Sequence, residues 1–354
     1  MNPAIHAPSP LAPQRRARLR LVLVVLAAGW AAACGSSPTA PSPAPRPPVV
    51  PDPGPALTLS CPADQAATAA LGATTATVSF TTPTAAGGTA PVTVACTGAP
   101  AGNAFPIGRT TVTCRATDAA SQATSCSFTV TVDAAAPQLS KSTFLAFGDS
   151  LTAGEVTVPV ATPAGVLPRY PSFALRLVPS ASYPTQLAAL VRAAYPDQSG
   201  IAITNAGKSG EWAVDGVARF TALMQSLRPE VVLLLSGYND LAALGTSGIS
   251  PASAAVEAMA KDARFRGAEV FIATLPPPRP GGQNTQPVST VVSYNDRLKV
   301  VASGEQARVV DLYEAMLGGE TAYIGVDGLH PTEAGYQKMA EVFFAAIRDA
   351  FEVR

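Results

Sequence analysis

A serine, a histidine and an aspartate that are far apart in the chain have the side chains that acyl transfer requires. Once residues 1–33 are set aside as a targeting segment, His330 is the only histidine, and Asp327 precedes it by three residues. Ser150 follows the apolar run Phe144–Phe147, which places it at the end of a predicted strand. A hydroxyl nucleophile, an imidazole base and a carboxylate that orients the base are the minimum set for hydrolysis through an acyl intermediate.

These residues need a scaffold, and the pattern from Lys141 onward predicts one. Short apolar strands alternate there with amphipathic helices. The predicted strands are Thr143–Phe147, Ile201–Thr204, Glu230–Leu235, Val270–Leu275 and Arg308–Leu312. The predicted helices are Thr185–Tyr195, a segment from Val214 to Leu227, Pro251–Phe265 and Thr332–Phe351. Such alternation, with nearly continuous apolar strands, indicates a parallel sheet covered by helices on both faces.

Polar loops follow three of these strands, and a fourth polar loop precedes the last helix. Because ligands bind outside the carboxyl ends of parallel strands, we expect the four loops to converge on one edge of the sheet. The loops are Gly148–Ser150, Asn205–Gly210, Gly237–Asp240 and Asp327–His330. Their strings Gly-Asp-Ser-Leu, Asn-Ala-Gly-x-Ser-Gly, Gly-x-Asn-Asp and Asp-Gly-x-His-Pro resemble, in this order, the sequence blocks of the GDSL or SGNH hydrolases. The resemblance spans Phe144–Pro331. It implies a three-layer α/β/α, flavodoxin-like domain with a parallel five-stranded sheet.

The resemblance also implies a role for each residue. Ser150 is the expected nucleophile, His330 the base, and Asp327 the residue that orients the imidazole. The expected oxyanion donors are the backbone N–H of Ser150, the backbone N–H of Gly210 and the side-chain amide of Asn239. No cofactor is implied, and one histidine already committed to a serine leaves no ligand set for a catalytic metal. Members of the family hydrolyse short-chain acyl esters, lipid esters, acetylated polysaccharides and thioesters, and the sequence does not choose among these substrates.

Each residue has a simpler explanation when it is considered alone. Ser150 and Asn239 are of types that are common in turns and loops. His330 could cap the last helix, whose start is favoured by Thr332 and Glu333. These explanations must also account for the placement of all the residues along one sheet edge, so the sequence favours the catalytic interpretation.

Two features depart from the family pattern, and two competing motifs are incomplete. Tyr238 stands where many members have a second glycine, and we expect its side chain to narrow or line the substrate entrance. Glu155–Ala181 is longer than in the most compact members, so the shape of the pocket cannot be carried over. Gly207–Ser209 imitates the end of a phosphate-binding P-loop, but Ala202 stands where that loop needs glycine. Gly148–Thr152 lacks the closing glycine of the nucleophile elbow.

Residues 57–133 have a different composition and predict a second domain. Thr, Val and Ala alternate there in short runs between Gly and Pro clusters, which is typical of an antiparallel β-sandwich. The runs are Ala76–Phe80, Pro91–Cys96, Thr110–Cys114 and Ser127–Val132. The strings Thr111–Asp118 and Cys126–Val130 resemble the hyalin-repeat (HYR) module, an immunoglobulin-like extracellular domain associated with adhesion or spacing. Nothing in the sequence identifies a partner for this domain.

The predicted sandwich contains four cysteines, an even set that predicts two disulfides in an exported chain. They are Cys61, Cys96, Cys114 and Cys126. Three pairings are open, and we favour Cys96 with Cys114 and Cys61 with Cys126. Zinc binding is the alternative, but the spacings contain no Cys-x-x-Cys pair and the expected compartment is oxidising.

Residues 1–33 have the parts of an export signal: a basic stretch ending at Arg20, an apolar core and small residues before Cys34. The small residues and Cys34 resemble a bacterial lipobox, which implies that the cysteine is acylated. Ala31 stands where such boxes usually carry Leu or Val, so ordinary cleavage after an Ala-x-Ala site is the alternative. We therefore expect an exported lipoprotein on the outer side of the cytoplasmic membrane, in the periplasm or at the cell surface, or else a secreted protein.

The remaining segments predict linkers and a mildly acidic mature chain. Residues 34–56 are rich in Pro, Ser and Ala and predict an extended spacer, and residues 134–140 link the sandwich to a domain at 141–354. The full chain has 24 basic and 24 acidic residues, and four of the basic ones are leader arginines. A mature chain with no basic stripe argues against nucleic-acid binding.

Two functional hypotheses follow. In the first, the protein is an exported serine esterase that acts on small-molecule, lipid or acylated-saccharide esters. In the second, the hydrolase domain is inactive and the protein binds carbohydrate or matrix at a surface. Retention of every catalytic residue type favours the first hypothesis.

Overall fold

The computed structural model describes residues 54–160 and 172–354. The expected signal peptide, Cys34 and the spacer up to residue 53 lie outside the described residues, as do residues 161–171 of the long segment after the first strand. None of the helices in the described ranges combines the length and the apolar character that a membrane span needs.

The amino-terminal part of the described chain consists of β-strands. Its longest feature is an antiparallel hairpin of Gly108–Thr117 and Ala123–Asp133, which is flanked by Thr93–Thr97 on one side and Gln65–Thr68 on the other. Two-stranded pairs complete this region, and a short 3₁₀ turn covers Ala101–Asn103. The pairs are Thr58–Ser60 with Thr84–Ala86 and Thr75–Thr77 with Ala104–Pro106.

One strand pair of this region corrects the expectation of a purely antiparallel sandwich. Gln65–Thr68 pairs with Val130–Asp133 in the parallel direction. A parallel pair cannot be closed by a tight hairpin and needs a long connection, which the chain between these two strands provides. Alternation of polar and apolar residues predicts that a strand is half-buried, but it does not predict the direction of its neighbour.

The sandwich has its own apolar core, and two disulfides of the described chain border it. The core contains Phe105, Val112, Phe128 and Val130, which are almost completely buried. The disulfides join Cys61 to Cys126 and Cys96 to Cys114, the pairing favoured above. Both bonds end on the long hairpin, because Cys114 and Cys126 are cross-strand partners in it. They therefore fasten the two flanking segments to the central strands.

A parallel five-stranded sheet forms the centre of the carboxyl-terminal part of the described residues, as predicted. Its strands are β1 (Thr143–Gly148), β2 (Ala202–Gly207), β3 (Val231–Leu235), β4 (Glu269–Ala273) and β5 (Arg308–Val310). Their spatial order is β2-β1-β3-β4-β5, and all neighbouring strands are parallel. Every residue of β3 is buried, which explains its continuous apolar sequence.

Helices cover both faces of this sheet and make the domain a three-layer α/β/α structure. The longer ones are α2 (Tyr183–Ala194), α3 (Ala213–Leu227), α5 (Ile249–Phe265), α6 (Val288–Gly304) and α9 (Glu333–Phe351). Helices α2 and α9 pack together, with Tyr183 stacked on Phe343, while α3, α5 and α6 pack in series. Short helices lie at the strand ends: α1 (Ser150–Ala153), α4 (Tyr238–Leu244), α7 (Leu312–Met316) and α8 (Glu320–Tyr323), with a 3₁₀ turn at Gly245–Gly248.

Several elements of this domain were not predicted, among them two helices and a hairpin. Helix α6 lies between β4 and β5, where no helix was expected, and the loop after β3 continues as α4. Part of the long segment after α1 folds as an antiparallel hairpin of Glu155–Pro159 and Phe173–Leu177. This hairpin begins at Glu155, two residues after α1, the helix that starts with Ser150.

The predicted linker 134–140 is partly structured. Gln138–Leu139 pairs in the antiparallel direction with Glu352–Val353, the residues that follow α9. Leu139 is buried in the core of the α/β domain, and its backbone exchanges hydrogen bonds with the side chain of Gln198. Residues 138–139 of the expected linker therefore pack with the α/β domain.

Candidate active site

Ser150 is the first residue of α1, immediately after β1. Asp149 caps this short helix, because its Oδ1 accepts a hydrogen bond from the N–H of Leu151 at 2.9 Å. Ser150 is buried apart from the surface that it presents to a cavity. Burial raises the pKa of Asp149 to about 7, although the Leu151 hydrogen bond opposes this shift. Asp149 therefore stabilises the turn that places Ser150 at the cavity.

The side chains of Ser150, His330 and Asp327 form a continuous hydrogen-bonded chain. Nε2 of His330 lies 2.9 Å from Oγ of Ser150, and Nδ1 lies 2.6 Å from Oδ2 of Asp327. Asp327 is fully buried and His330 nearly so. A carboxylate at Nδ1 keeps the ring proton on that nitrogen, so the lone pair of Nε2 is free to accept the proton of the serine.

The loop from Asp327 to His330 is organised by the same aspartate. Its Oδ1 accepts hydrogen bonds from the N–H groups of Leu329 (3.2 Å) and His330 (3.1 Å). Gly328 adopts φ +90°, and a Cβ there would clash with the side chain of Thr285. These constraints explain why the loop has the sequence Asp-Gly-Leu-His.

Asn284 adds a fourth side chain to this hydrogen-bonded chain. Its Nδ2 donates to Oδ2 of Asp327 at 3.2 Å. Burial tends to raise the pKa of Asp327, but the hydrogen bonds from His330, Leu329 and Asn284, together with the His330 charge, hold it below its usual value. The aspartate therefore remains ionised beside the imidazole.

Gly210 and Asn239 come from the two neighbouring loops, which hydrogen bonds hold together. Nδ2 of Asn239 donates to the carbonyl oxygen of Glu211 at 3.0 Å, and Oδ2 of Asp240 accepts from the N–H of Ala213 at 2.8 Å. Gly210 adopts φ +72°, and a Cβ at this position would meet no protein atom. Glycine is therefore favoured at 210 by the positive φ, since no protein atom crowds this position.

The five predicted site residues do not all touch, but four of them line one cavity of about 520 Å³. These four are Ser150, His330, Gly210 and Asn239, while Asp327 lies behind His330. The rest of the described lining is mostly polar. It comprises Glu155, Leu175, Ser209, Ala242, Gln283, Asn284, Gln286 and Leu329.

The cavity also contains the carboxylate of Glu155, which belongs to none of the sequence motifs. Oε2 of Glu155 lies 3.3 Å from Nε2 of His330, on the side of the ring that also faces Ser150. The hydroxyl of Tyr336 lies 2.7 Å from the carbonyl oxygen of Glu155 and 3.2 Å from that of Ser150. No sequence motif marks these contacts, because residues 155 and 336 are distant in the sequence and meet only in the folded protein.

Tyr238 does not line the cavity, contrary to expectation. Its side chain is buried, its hydroxyl donates to the carbonyl oxygen of Asn284 at 2.9 Å, and the N–H of Gln286 donates to that hydroxyl at 3.3 Å. Tyr238 therefore acts on the cavity indirectly, by anchoring the loop whose side chains line it. The helical start at Tyr238 turns the ring inward, and sequence reasoning treated this position as part of an open loop.

A buried ion pair supports the loop that carries Gly210. Both carboxylate oxygens of Glu211 are bonded to the guanidinium of Arg219, which also donates to the carbonyl oxygens of Ala206 and Gly148. Burial tends to raise the pKa of Glu211, but Arg219 and Lys208 lower it overall. Arg219 thus ties the ends of β1 and β2 to the segment after Gly210.

The part of the chain that carries this site matches a known family. Residues 146–338, more than half of the chain, match the model of the GDSL-like lipase/acylhydrolase family. The chain belongs to this family. Members of this family are GDSL-like lipases and acylhydrolases.

Curated members of the GDSL-like family resemble only part of the chain. Esterase TesA of Pseudomonas aeruginosa is 30% identical over 142 residues, which are 39% of this chain and 66% of TesA. The spore germination lipase LipC of Bacillus licheniformis is 36% identical over 56 residues, 16% of this chain and 26% of LipC. The matched segment covers just under two thirds of TesA and about a quarter of LipC.

The chain can also be aligned with a solved structure. The lipase/acylhydrolase from Enterococcus faecalis covers 60% of this chain and 98% of its own length, with 22% identity and a TM-score of 0.46.

The amino-terminal region has its own match. Residues 52–132 match the HYR domain model, as the resemblance in the sequence implied. An HYR domain with the two disulfides of the described residues indicates an extracellular protein.

Proposed function

We propose that the protein is an exported serine esterase in which Ser150 is the nucleophile, His330 the general base and acid, and Asp327 the residue that orients the imidazole. One observation carries this proposal. Nε2 of His330 lies 2.9 Å from Oγ of Ser150 while Nδ1 lies 2.6 Å from Oδ2 of Asp327. These distances are within the range over which a base can take the proton of a hydroxyl.

In the proposed reaction, His330 takes the proton of Ser150 as Oγ attacks the ester carbonyl carbon. The negative oxygen of the tetrahedral intermediate accepts hydrogen bonds from the backbone N–H of Ser150, the backbone N–H of Gly210 and Nδ2 of Asn239. The intermediate collapses, the bond to the alcohol oxygen breaks, and Nε2 returns its proton to that oxygen. The alcohol leaves and an acyl-enzyme remains on Ser150.

The second half of the reaction uses the same groups. His330 takes a proton from a water molecule, whose oxygen attacks the acyl carbon. When this second tetrahedral intermediate collapses, Oγ of Ser150 leaves with the proton from Nε2 and the carboxylic acid is released. No group outside the chain and water is needed to balance these steps.

Hydrolysis of p-nitrophenyl acetate tests this function. The wild type should release p-nitrophenol with a burst when acylation is faster than deacylation, and Ser150→Ala should lose at least about 10³-fold in kcat/KM. Ser226→Ala removes an exposed hydroxyl on α3 and is the matched control, which should retain the wild-type rate. Equal rates for the wild type and Ser150→Ala would leave the alternative of an inactive, surface-binding protein.

We also propose that residues 1–33 are an export signal and that Cys34 is acylated, so that the spacer up to residue 56 holds the HYR domain and the hydrolase away from a membrane. Acylation needs more than one chain for firm anchoring, because a single myristoyl-length chain binds only marginally. Cys34→Ser should move the protein from the membrane fraction to the soluble fraction. Unchanged membrane association of the variant would contradict the anchor without affecting the proposed catalysis.

A further inference from the structure

The proposed mechanism leaves the carboxylate of Glu155 without a role. Nε2 of a neutral His330 has a single lone pair, which the hydroxyl of Ser150 occupies at 2.9 Å. Oε2 of Glu155 lies 3.3 Å from the same nitrogen. Asp327 already orients the ring through Nδ1, so Glu155 is not needed for that purpose.

The position of Glu155 is fixed by the fold. It is the first strand residue after α1, and Gly154, with φ +101°, makes the turn between the two. Its carbonyl oxygen accepts from the hydroxyl of the buried Tyr336, and its strand pairs with Phe173–Leu177. The backbone is therefore held on both sides, and the side chain, 18% exposed, extends into the cavity.

The electrostatic surroundings leave this carboxylate available to a ligand. Among the described residues that line the cavity, Glu155 and His330 are the ionisable ones, and the others are amides, hydroxyls, glycine or aliphatic side chains. Within the described chain, Glu155 has no lysine or arginine at ion-pair distance, and its Oε2 lies 3.3 Å from Nε2 of the neutral His330. An ionised carboxylate accepts hydrogen bonds only, so it favours a donor and disfavours an anion.

The reaction determines which part of a substrate meets Glu155. Nε2 must protonate the oxygen of the departing alcohol, so that oxygen has to lie within hydrogen-bond distance of Nε2. A carboxylate 3.3 Å from Nε2 is then next to the alcohol part of the ester rather than its acyl part. A hydroxyl on the carbon next to the one that carries the ester oxygen is then within hydrogen-bond distance of Glu155.

We propose that Glu155 selects the alcohol part of the substrate by accepting a hydrogen bond from a hydroxyl on the carbon next to the ester oxygen. The favoured substrates are then partial esters of polyols. This inference rests on the proposed function and adds a specificity residue to it. A hydrogen bond to a charged group contributes enough to give a preference of about 10- to 100-fold over an ester without the hydroxyl.

Two acetates that differ by one hydroxyl test the inference. The kcat/KM for 2-hydroxyethyl acetate is divided by that for ethyl acetate, and the ratio is normalised to the ratio of their alkaline hydrolysis rates. The wild type should give about 10 to 100, and Glu155→Leu should give about 1. Glu155→Gln keeps an acceptor but loses the charge, so its ratio should fall between these values.

The ratio separates selectivity from general damage. A variant with a distorted active site loses rate on both acetates and keeps the wild-type ratio, whereas loss of selectivity lowers the ratio itself. The rate on p-nitrophenyl acetate, whose alcohol part has no adjacent hydroxyl, measures the general effect of each variant on the neighbouring His330, and an effect of this kind cancels in the ratio of the two acetates. If Glu155→Leu does not fold, Glu155→Gln alone must still lower the ratio.

Equal normalised ratios in the wild type and the variants would overturn the inference, even while hydrolysis of p-nitrophenyl acetate and its loss in Ser150→Ala uphold the proposed function. Failure of the wild type on both test acetates would overturn it as well. Polyol esters occur in glycerides and in acylated saccharides. 1-Monobutyrylglycerol and acetylated xylan, each assayed with the wild type and Glu155→Leu, distinguish these sources, because the loss in the variant should be larger for the true class.

Discussion

The side-chain amide of Asn239 donates a hydrogen bond to the carbonyl oxygen of Glu211 at 3.0 Å. This bond holds one N–H of the Asn239 amide on the loop after β2. Because the amide group is planar, the bond also fixes the direction of its second N–H. Because Gly210 is the residue before Glu211, this bond also links two of the proposed oxyanion donors. The donors are arranged before any substrate arrives, which is the condition under which such groups contribute most to catalysis.

Asn239→Ala should lower kcat by about 10² to 10³-fold with a small change in KM, because the lost donor acts mainly on the tetrahedral intermediate. Steady-state kinetics with p-nitrophenyl acetate measure this change. The melting temperature of the variant is the control for folding. A loss of less than about threefold in a well-folded variant would remove Asn239 from the oxyanion hole.

Asp327→Asn should lower kcat by about 10³ to 10⁴-fold, since an amide at this position can donate to Nδ1 and put the ring proton on Nε2. Asn284→Ala removes only the 3.2 Å hydrogen bond to Oδ2 of Asp327, and it should cost far less. Similar losses in the two variants would argue against the proposed role of Asp327.

Asp149→Asn should change how stability depends on pH. Burial raises the pKa of Asp149 from 3.8 to about 7, so between these values the folded state holds a proton that the unfolded state has released. The free energy of unfolding of the wild type therefore decreases as the pH rises through this window, by up to a few kcal/mol for this group. The variant should lack that part of the slope. Urea unfolding at pH 5 and pH 8 measures the difference, and parallel curves for the two proteins would contradict it.

Arg219→Met should destabilise the fold by about 1 to 3 kcal/mol, because the buried carboxylate of Glu211 then keeps only the exposed Lys208 as a cationic partner. The double variant Arg219→Met/Glu211→Gln should recover much of this loss, since no buried charge then remains. Urea unfolding of the two single variants and the double variant gives the coupling energy. Additive effects would mean that the pair does not act as a unit.

The strands and the order of the site loops could be predicted because their signals are local. Runs such as Val231–Leu235 are buried on both faces and therefore lack polar residues. Helix α6 was missed because its first turns contain several β-branched residues, among them Thr290 and Val291, which weaken the helical signal. Pro287, directly before the helix, is the one start signal that the sequence offers.

The contacts around the triad could not be predicted, because each joins residues that are distant in the sequence. Glu155 lies near His330 because of where its strand is placed in the fold, and Tyr238 turns inward because it begins a helix. The motif residues themselves were recognisable from their order along the chain. Their supporting partners, Asn284, Tyr336 and Arg219, belong to no motif.

The short antiparallel pair of Gln138–Leu139 with Glu352–Val353 joins the segment before β1 to the segment after α9. A pulling force that reaches the α/β domain along the chain from the HYR domain is applied to this pair before it is applied to β1. Part of the force is then borne by α9, because Glu352–Val353 directly follow that helix. We therefore expect these few hydrogen bonds to break first and β1, which precedes Ser150, to be displaced only at higher force.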